Sequence, residues 1–131
     1  MSKYEQIIKH YQDNRLKYEH FKQIVKKKIQ IFRHNLIWYL DCPKENITYE
    51  GPEFVDHNFK YKIKIRYEYK DPITKKSSLK EINFNIFFKP PEGDFITFND
   101  IDFRYKKNMN ELFDEMMKLI KQDKSIFGLN E

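Results

Sequence analysis

The residues whose types and spacing could do chemistry here are first of all cations. In Phe59 to Lys70 (FKYKIKIRYEYK), Lys60, Lys62, Lys64 and Arg66 alternate with Phe59, Tyr61, Ile63 and Ile65; Tyr67 and Tyr69 then alternate with Glu68 and Lys70. A strand turns successive side chains to opposite faces, so the cations form one row, about 6.7 Å between neighbours and about 20 Å long. Such a row could lie along a phosphodiester backbone and release its counterions. Phe87, Asn83 and Asn85, on the outward face of a partner strand, would add stacking and hydrogen bonds as on single-strand platforms. A second set, Arg15, Lys22, Lys26 and Arg33, falls within about 40° on a helix and makes a basic rail interrupted by Glu19. Plainer accounts compete with both. Lysines on exposed strands resist edge-to-edge aggregation, and long cationic side chains at a helix margin cover apolar surface.

The remaining polar groups offer less. Asp100 and Asp102, with Glu92 and Asp94 nearby, could hold a hard cation, but their spacing matches no EF-hand loop and turn-forming Asp at strand ends explains them. His10, His20, His34 and His57 share no helical face and show no HExxH spacing. Glycine occurs only at 51, 93 and 128, which leaves no Gly-rich phosphate loop. The single cysteine, Cys42, rules out an intrachain disulfide and a Cys-based zinc site. It stands where a helix ends, and the dipole there disfavours a thiolate. No catalytic constellation, metal site or cofactor is expected.

Two partial resemblances bear on function. Asp56 followed by Glu68-x-Lys70 is similar to the metal-dependent nuclease core of the PD-(D/E)xK type. That resemblance implies carboxylates on Mg²⁺ and a lysine stabilising developing charge or the attacking water. The helix–strands–helix order resembles the double-stranded-RNA-binding domain, with Gly51-Pro52 ahead of the long strand and Lys106-Lys107 at the start of the last helix. That family's last helix is Ala-rich, whereas this one carries Leu112, Phe113, Met116 and Met117.

The chain has 131 residues, which fits one domain spanning residues 1–131 with a substantial core. Its aromatic content of 17%, with 16 Ile, argues against disorder despite 34% charged residues. The net charge of +5 invites nucleic acid, a membrane surface or an acidic protein as partner. Yet its cations are 21 Lys and four Arg, beside 16 Ile and ten Asn, which is also what A/T-rich codons give. Arginine, preferred for bidentate phosphate and base contacts, is scarce. The start, MSKYEQ, has no signal-peptide core, and the longest apolar run, Leu36 to Leu40, is far too short to span a bilayer. The chain reads as soluble and cytoplasmic, with no membrane role.

These groups need elements to position them. Residues 3 to 41 lack Gly and Pro, and Tyr4, Tyr11, Tyr18, Val25, Phe32 and Tyr39 recur every seven residues. Ile7, Ile8, Phe21, Ile29 and Leu36 complete an amphipathic helical stripe. A continuous helix would be about 58 Å long, against a diameter of about 36 Å for a compact domain of this size. Either it breaks near Asp13-Asn14 or one end projects; the unbroken register from Tyr11 to Tyr18 favours continuity. Ile24, Ile31 and Trp38, again seven apart, make a second seam about 100–140° from Val25. Pro43 stops the helix. Ile47 to Glu50 and Glu53 to Asp56 read as short strands around a Gly51-Pro52 turn. The long strand, a turn at Asp71-Pro72 and a partner strand from Leu79 to Lys89 follow, closed by Pro90-Pro91 and a turn at Glu92-Gly93-Asp94. Phe95 to Phe98 and a strand through Ile101, Phe103 and Tyr105 come next. A last helix runs from Asn108 to Phe127, with Asn108 and Glu111 as a capping box and Gly128 at C′.

The expected fold is a two-layer α+β sandwich. A long N-terminal helix and a C-terminal helix pack on one face of a three-to-five-stranded antiparallel sheet, in the order α-β-β-β(-β)-α. The expected function is non-catalytic binding through a surface, to another protein or a second copy. Ile24, Ile31 and Trp38 form the interface, in the manner of an inhibitor, an immunity-type protein or an assembly component. The alternatives are nucleic-acid binding through Lys60, Lys62, Lys64 and Arg66 with Arg15, Lys22, Lys26 and Arg33, and below that a metal-dependent nuclease.

Overall fold

A computed structural model describes residues 1–90 and 93–122. The first helix, α1 (Lys3–Leu40), is a single run of 38 residues. Ser2 caps it: its hydroxyl accepts from the Glu5 N–H at 3.1 Å, satisfying one of the orphan donors at a helix start. At the other end Asp41 takes a left-handed conformation, φ 51°, and its N–H returns to Ile37 and Trp38 carbonyls. A 3₁₀ turn, Lys44–Asn46, leads into the sheet.

Five strands follow: β1 (Ile47–Val55), β2 (Asn58–Lys70), β3 (Ser77–Phe88), β4 (Phe95–Phe98) and β5 (Ile101–Arg104). They pair in sequence order, all antiparallel. The alternation in β2 does what its period dictates: Phe59, Tyr61, Ile63 and Ile65 are buried, and the cations between them face outward. A second helix, α2 (Met109–Lys121), lies beside α1 on the same face, burying Met109, Leu112, Phe113 and Met116. Phe113 packs edge-on to Phe32 at 5.4 Å between ring centroids, and the Tyr39 hydroxyl donates to Asp114. Both helices thus share one layer over one sheet, an α+β arrangement.

Two local expectations are corrected. Gly51-Pro52 is not a turn between two strands but a bulge inside β1, a cis peptide with Gly51 at φ 128°. A Cβ at Gly51 would come within 2.8 Å of the Lys60 carbonyl oxygen, so glycine is required by close approach as well as by φ. The extra residue changes the parity of the strand. Glu50 opposes Lys62 before the bulge, and Glu53 opposes Lys60 after it, which turns Glu53 outward and Phe54 toward Phe59. The chain reverses instead at Asp56-His57, both at positive φ. Asn108 precedes α2 but makes no side-chain capping bond, because its φ of −113° and ψ of 25° are not the extended geometry a cap needs. The expected continuation of α2 to Phe127 and Gly128, and the residues Pro91 and Glu92, lie outside the described residues.

Only part of α1 rests on the sheet. Phe21, Val25, Ile29, Phe32 and Leu36 are buried, and Tyr18 is the first residue from the N-terminus to touch it, against Phe54 and Phe59. Every residue from Met1 to Lys17 is exposed. The helix projects, and the heptad series divides at Tyr18.

Candidate protein-binding surface

The projecting arm, Lys3 to Lys17, is about 22 Å long. Its apolar residues continue the stripe that is core further on, yet Tyr4 is 72% exposed, Ile7 57% and Tyr11 70%. Sequence periodicity assigned these residues to the same face as Phe32; the signal that they stand outside was the excess of helix length over domain diameter. At the root of the arm Phe54 is 46% exposed, ring against Tyr18 at 5.0 Å, so the apolar surface runs on from the arm onto the β1–β2 turn.

The second seam is uneven. Trp38 is 74% exposed, Ile31 is 41% exposed and Ile24 is half-buried. The Trp38 indole N–H donates to His34 at 3.1 Å. Beside it runs a groove of about 450 Å³ bounded by Asn35, Tyr39, Lys106, Lys107, Met109 and Asn110. The helical spacing places Ile24, Ile31 and Trp38 along one line, and the line is most open at its C-terminal end.

The cation row is present but largely neutralised. Lys64 bonds to Glu50, Lys60 lies 3.8 Å from Glu53, and Arg66 lies 3.1 Å from Glu81. The hydrogen bond from Lys64, with the neighbouring cations, holds the Glu50 carboxyl below its usual range. Among the described residues Lys62 is the one member of the row without an ion pair. Asn85, Asn83 and Phe87 do stand outward opposite Lys62, Lys64 and Lys60, but the face is one of mixed charge.

The helix rail is likewise divided. Arg15 pairs with Glu19 at 3.0 Å. Arg33 turns inward and donates from Nε to the Ile47 carbonyl at 2.6 Å and from its terminal nitrogen to the Lys44 carbonyl. There it fastens the start of β1 to α1. Lys22 is half-buried and Lys26 exposed.

The nuclease-like residues do not meet. Asp56 sits in the β1–β2 turn and Glu68 ten residues along β2 from Asn58, about 33 Å away at strand rise. No cluster of three His, Cys, Asp or Glu suited to a metal occurs among the described residues. The Asp100 group is taken up internally: Asp102 accepts from the Thr97 hydroxyl at 2.6 Å and from Lys89 at 2.9 Å, which lowers its carboxyl, and Asp94 pairs with Lys28 at 3.2 Å. Burial, then the charge of Asp41, pushes the Cys42 thiol up, away from reactivity. No described helix is long and apolar enough to cross a membrane. No family model, curated protein or solved structure matches this chain.

Proposed function

We propose that this is a small non-catalytic protein that acts by binding another protein through α1. The observation that carries the reading is apolar surface on α1 with nothing described over it: Trp38 and Ile31 on one line, Tyr4, Ile7 and Tyr11 on the arm. Large exposed apolar side chains gathered on one element mark interaction surfaces, and tryptophan is over-represented among residues that dominate binding energy. An inhibitor, an immunity-type protein or an assembly component works in this way.

Nucleic acid is the competing partner. The ion pairs of Lys60, Lys64 and Arg66 weigh against it, since a phosphate backbone would have to displace Glu53, Glu50 and Glu81. One experiment separates the readings: capture from the native host with wild-type and Trp38→Ala baits, each with and without nuclease. The expected result is a protein retained after nuclease, lost with Trp38→Ala, while the variant melts as wild type does. If the variant unfolds, the seam is core. If retention vanishes with nuclease and follows Lys62→Glu instead, the cation row is the site.

A further inference from the structure

We propose that the arm of α1 is a docking site for one amphipathic helix of a partner protein, a helix whose apolar seam is flanked by Asp and Glu. This rests on the protein-binding reading and names a site and a chemistry for it. On the arm Tyr4, Ile7, Ile8 and Tyr11 fall within about 100° around the axis, and Leu16 is exposed beyond them. A strip of that width can be covered by a single helix. Asn14, bonded to His10 at 3.1 Å, continues the same seam and Tyr18 closes it against Phe54; a polar residue at such a position fixes register between helices rather than aiding burial in lipid.

The flanks decide the occupant. With the seam tyrosines at the first position of each heptad, the residues just before them are Lys3, His10 and Lys17. Four after them stand Ile8 and Arg15 on the arm, and Lys22 on the half that rests on the sheet. These are the positions that face a partner helix across the seam, and none of them is acidic. Glu5, Asp13 and Glu19 all occupy outer heptad positions, and Glu19 is the ion-pair partner of Arg15. A parallel pair of arms would set Lys17 of one copy against Lys22 of the other, and an antiparallel pair Lys3 against Lys17, on chains that each carry +5. A second copy is therefore disfavoured, and acidic flanks are what complement the site.

The test uses the full chain and two synthetic helical peptides about three heptads long, with Leu and Ile on the seam. One carries Glu and the other Lys at the flanking positions. By fluorescence anisotropy at low salt the acidic peptide should saturate at least about 10-fold more tightly than the basic one, and weaken as salt rises. Ile7→Asp should abolish the binding without lowering the melting temperature, and Lys3→Glu with Lys17→Glu should move the preference toward the basic peptide. Trp38→Ala should leave it unchanged. Equal affinity for both peptides, no binding of the acidic one, or indifference to Ile7→Asp overturns the proposal. So does a dimer in sedimentation that Ile7→Asp dissociates, or retention on phosphatidylserine vesicles that the acidic peptide fails to displace. Failure of the peptides while Trp38-dependent capture persists removes the arm proposal alone; loss of that capture removes the broader reading.

Discussion

The two halves of α1 carry the same heptad pattern and have opposite fates. From Tyr18 onward the stripe lies on β1 and β2, and Val25, Ile29, Phe32 and Leu36 are almost wholly removed from water. From Lys3 to Lys17 an equally regular stripe lies in solvent. The difference is the surface beneath. The β1–β2 turn at Asp56-His57 ends the sheet where Tyr18 touches Phe54, and the helix simply continues. An amphipathic pattern therefore specifies which face of a helix is to be covered, and says nothing about what covers it.

The sharpest way to break this comparison is to delete side chains from each half. Phe32→Ala should destabilise the protein by about 3–5 kcal/mol, through lost transfer energy and the cavity left against Phe113. Tyr11→Ala should change stability by less than about 0.5 kcal/mol. Urea unfolding of the two variants checks both, and a large effect at Tyr11 would mean the arm is packed in solution. The arginines extend the contrast. Arg33→Ala should cost about 1–3 kcal/mol, because charge-assisted bonds to the Ile47 and Lys44 carbonyls are lost and Ile47 is buried. Arg15→Ala removes a surface i,i+4 pair and should stay under about 0.5 kcal/mol.

Much of the architecture was legible because it rests on local period. Alternation in Phe59–Lys70 and in the partner strand announces a half-buried antiparallel pair, and a run without Gly or Pro announces α1. What escaped depended on relations between distant residues. Gly-Pro is an ordinary turn signal, and nothing local says that Lys60 approaches Gly51 closely enough to make it a bulge. Without that bulge Glu53 would face inward, so the partner of Lys60 could not be read before the register was known. The turn at Asp56-His57 carries no glycine, and both residues adopt positive φ instead. For the exposed seam, the angular offset of Trp38 from Val25 was enough to place it off the core. The arm's tyrosines looked like core because the stripe continues through them unbroken.

Alkali should act on the body through one buried tyrosine. The Tyr61 hydroxyl is buried, finds no hydrogen-bond partner among the described residues, and burial pushes its pKa up to about 12. Its pKa in the unfolded chain is about 10. Because the folded-state value is raised, the stability linked to it is complete below pH 10 and is lost as pH rises toward about 12. Tyr61→Phe should remove that alkaline loss, and at neutral pH should be neutral or stabilising by up to about 1 kcal/mol, since an unpaired hydroxyl is deleted. Denaturant midpoints across the alkaline range test this.

The smallest effect is the most specific to the arm. Ser2 accepts from the Glu5 N–H, and every residue of the first turns is exposed. Removing such a cap costs a helix about 0.5–2 kcal/mol. In the buried half a loss of that size would appear in global unfolding, because fraying there also uncovers Phe32 and Leu36. In the arm it should appear only as local opening. Ser2→Ala is therefore expected to speed amide exchange from Ile7 to Tyr11 by roughly 2–30-fold while the denaturant midpoint stays put. A shift in that midpoint would mean the arm and body unfold as one unit, and the division at Tyr18 would not be energetic. The same measurement with the acidic peptide bound should show the arm's amides protected and the effect of Ser2→Ala reduced, because a docked helix supplies the packing that the sheet supplies further along.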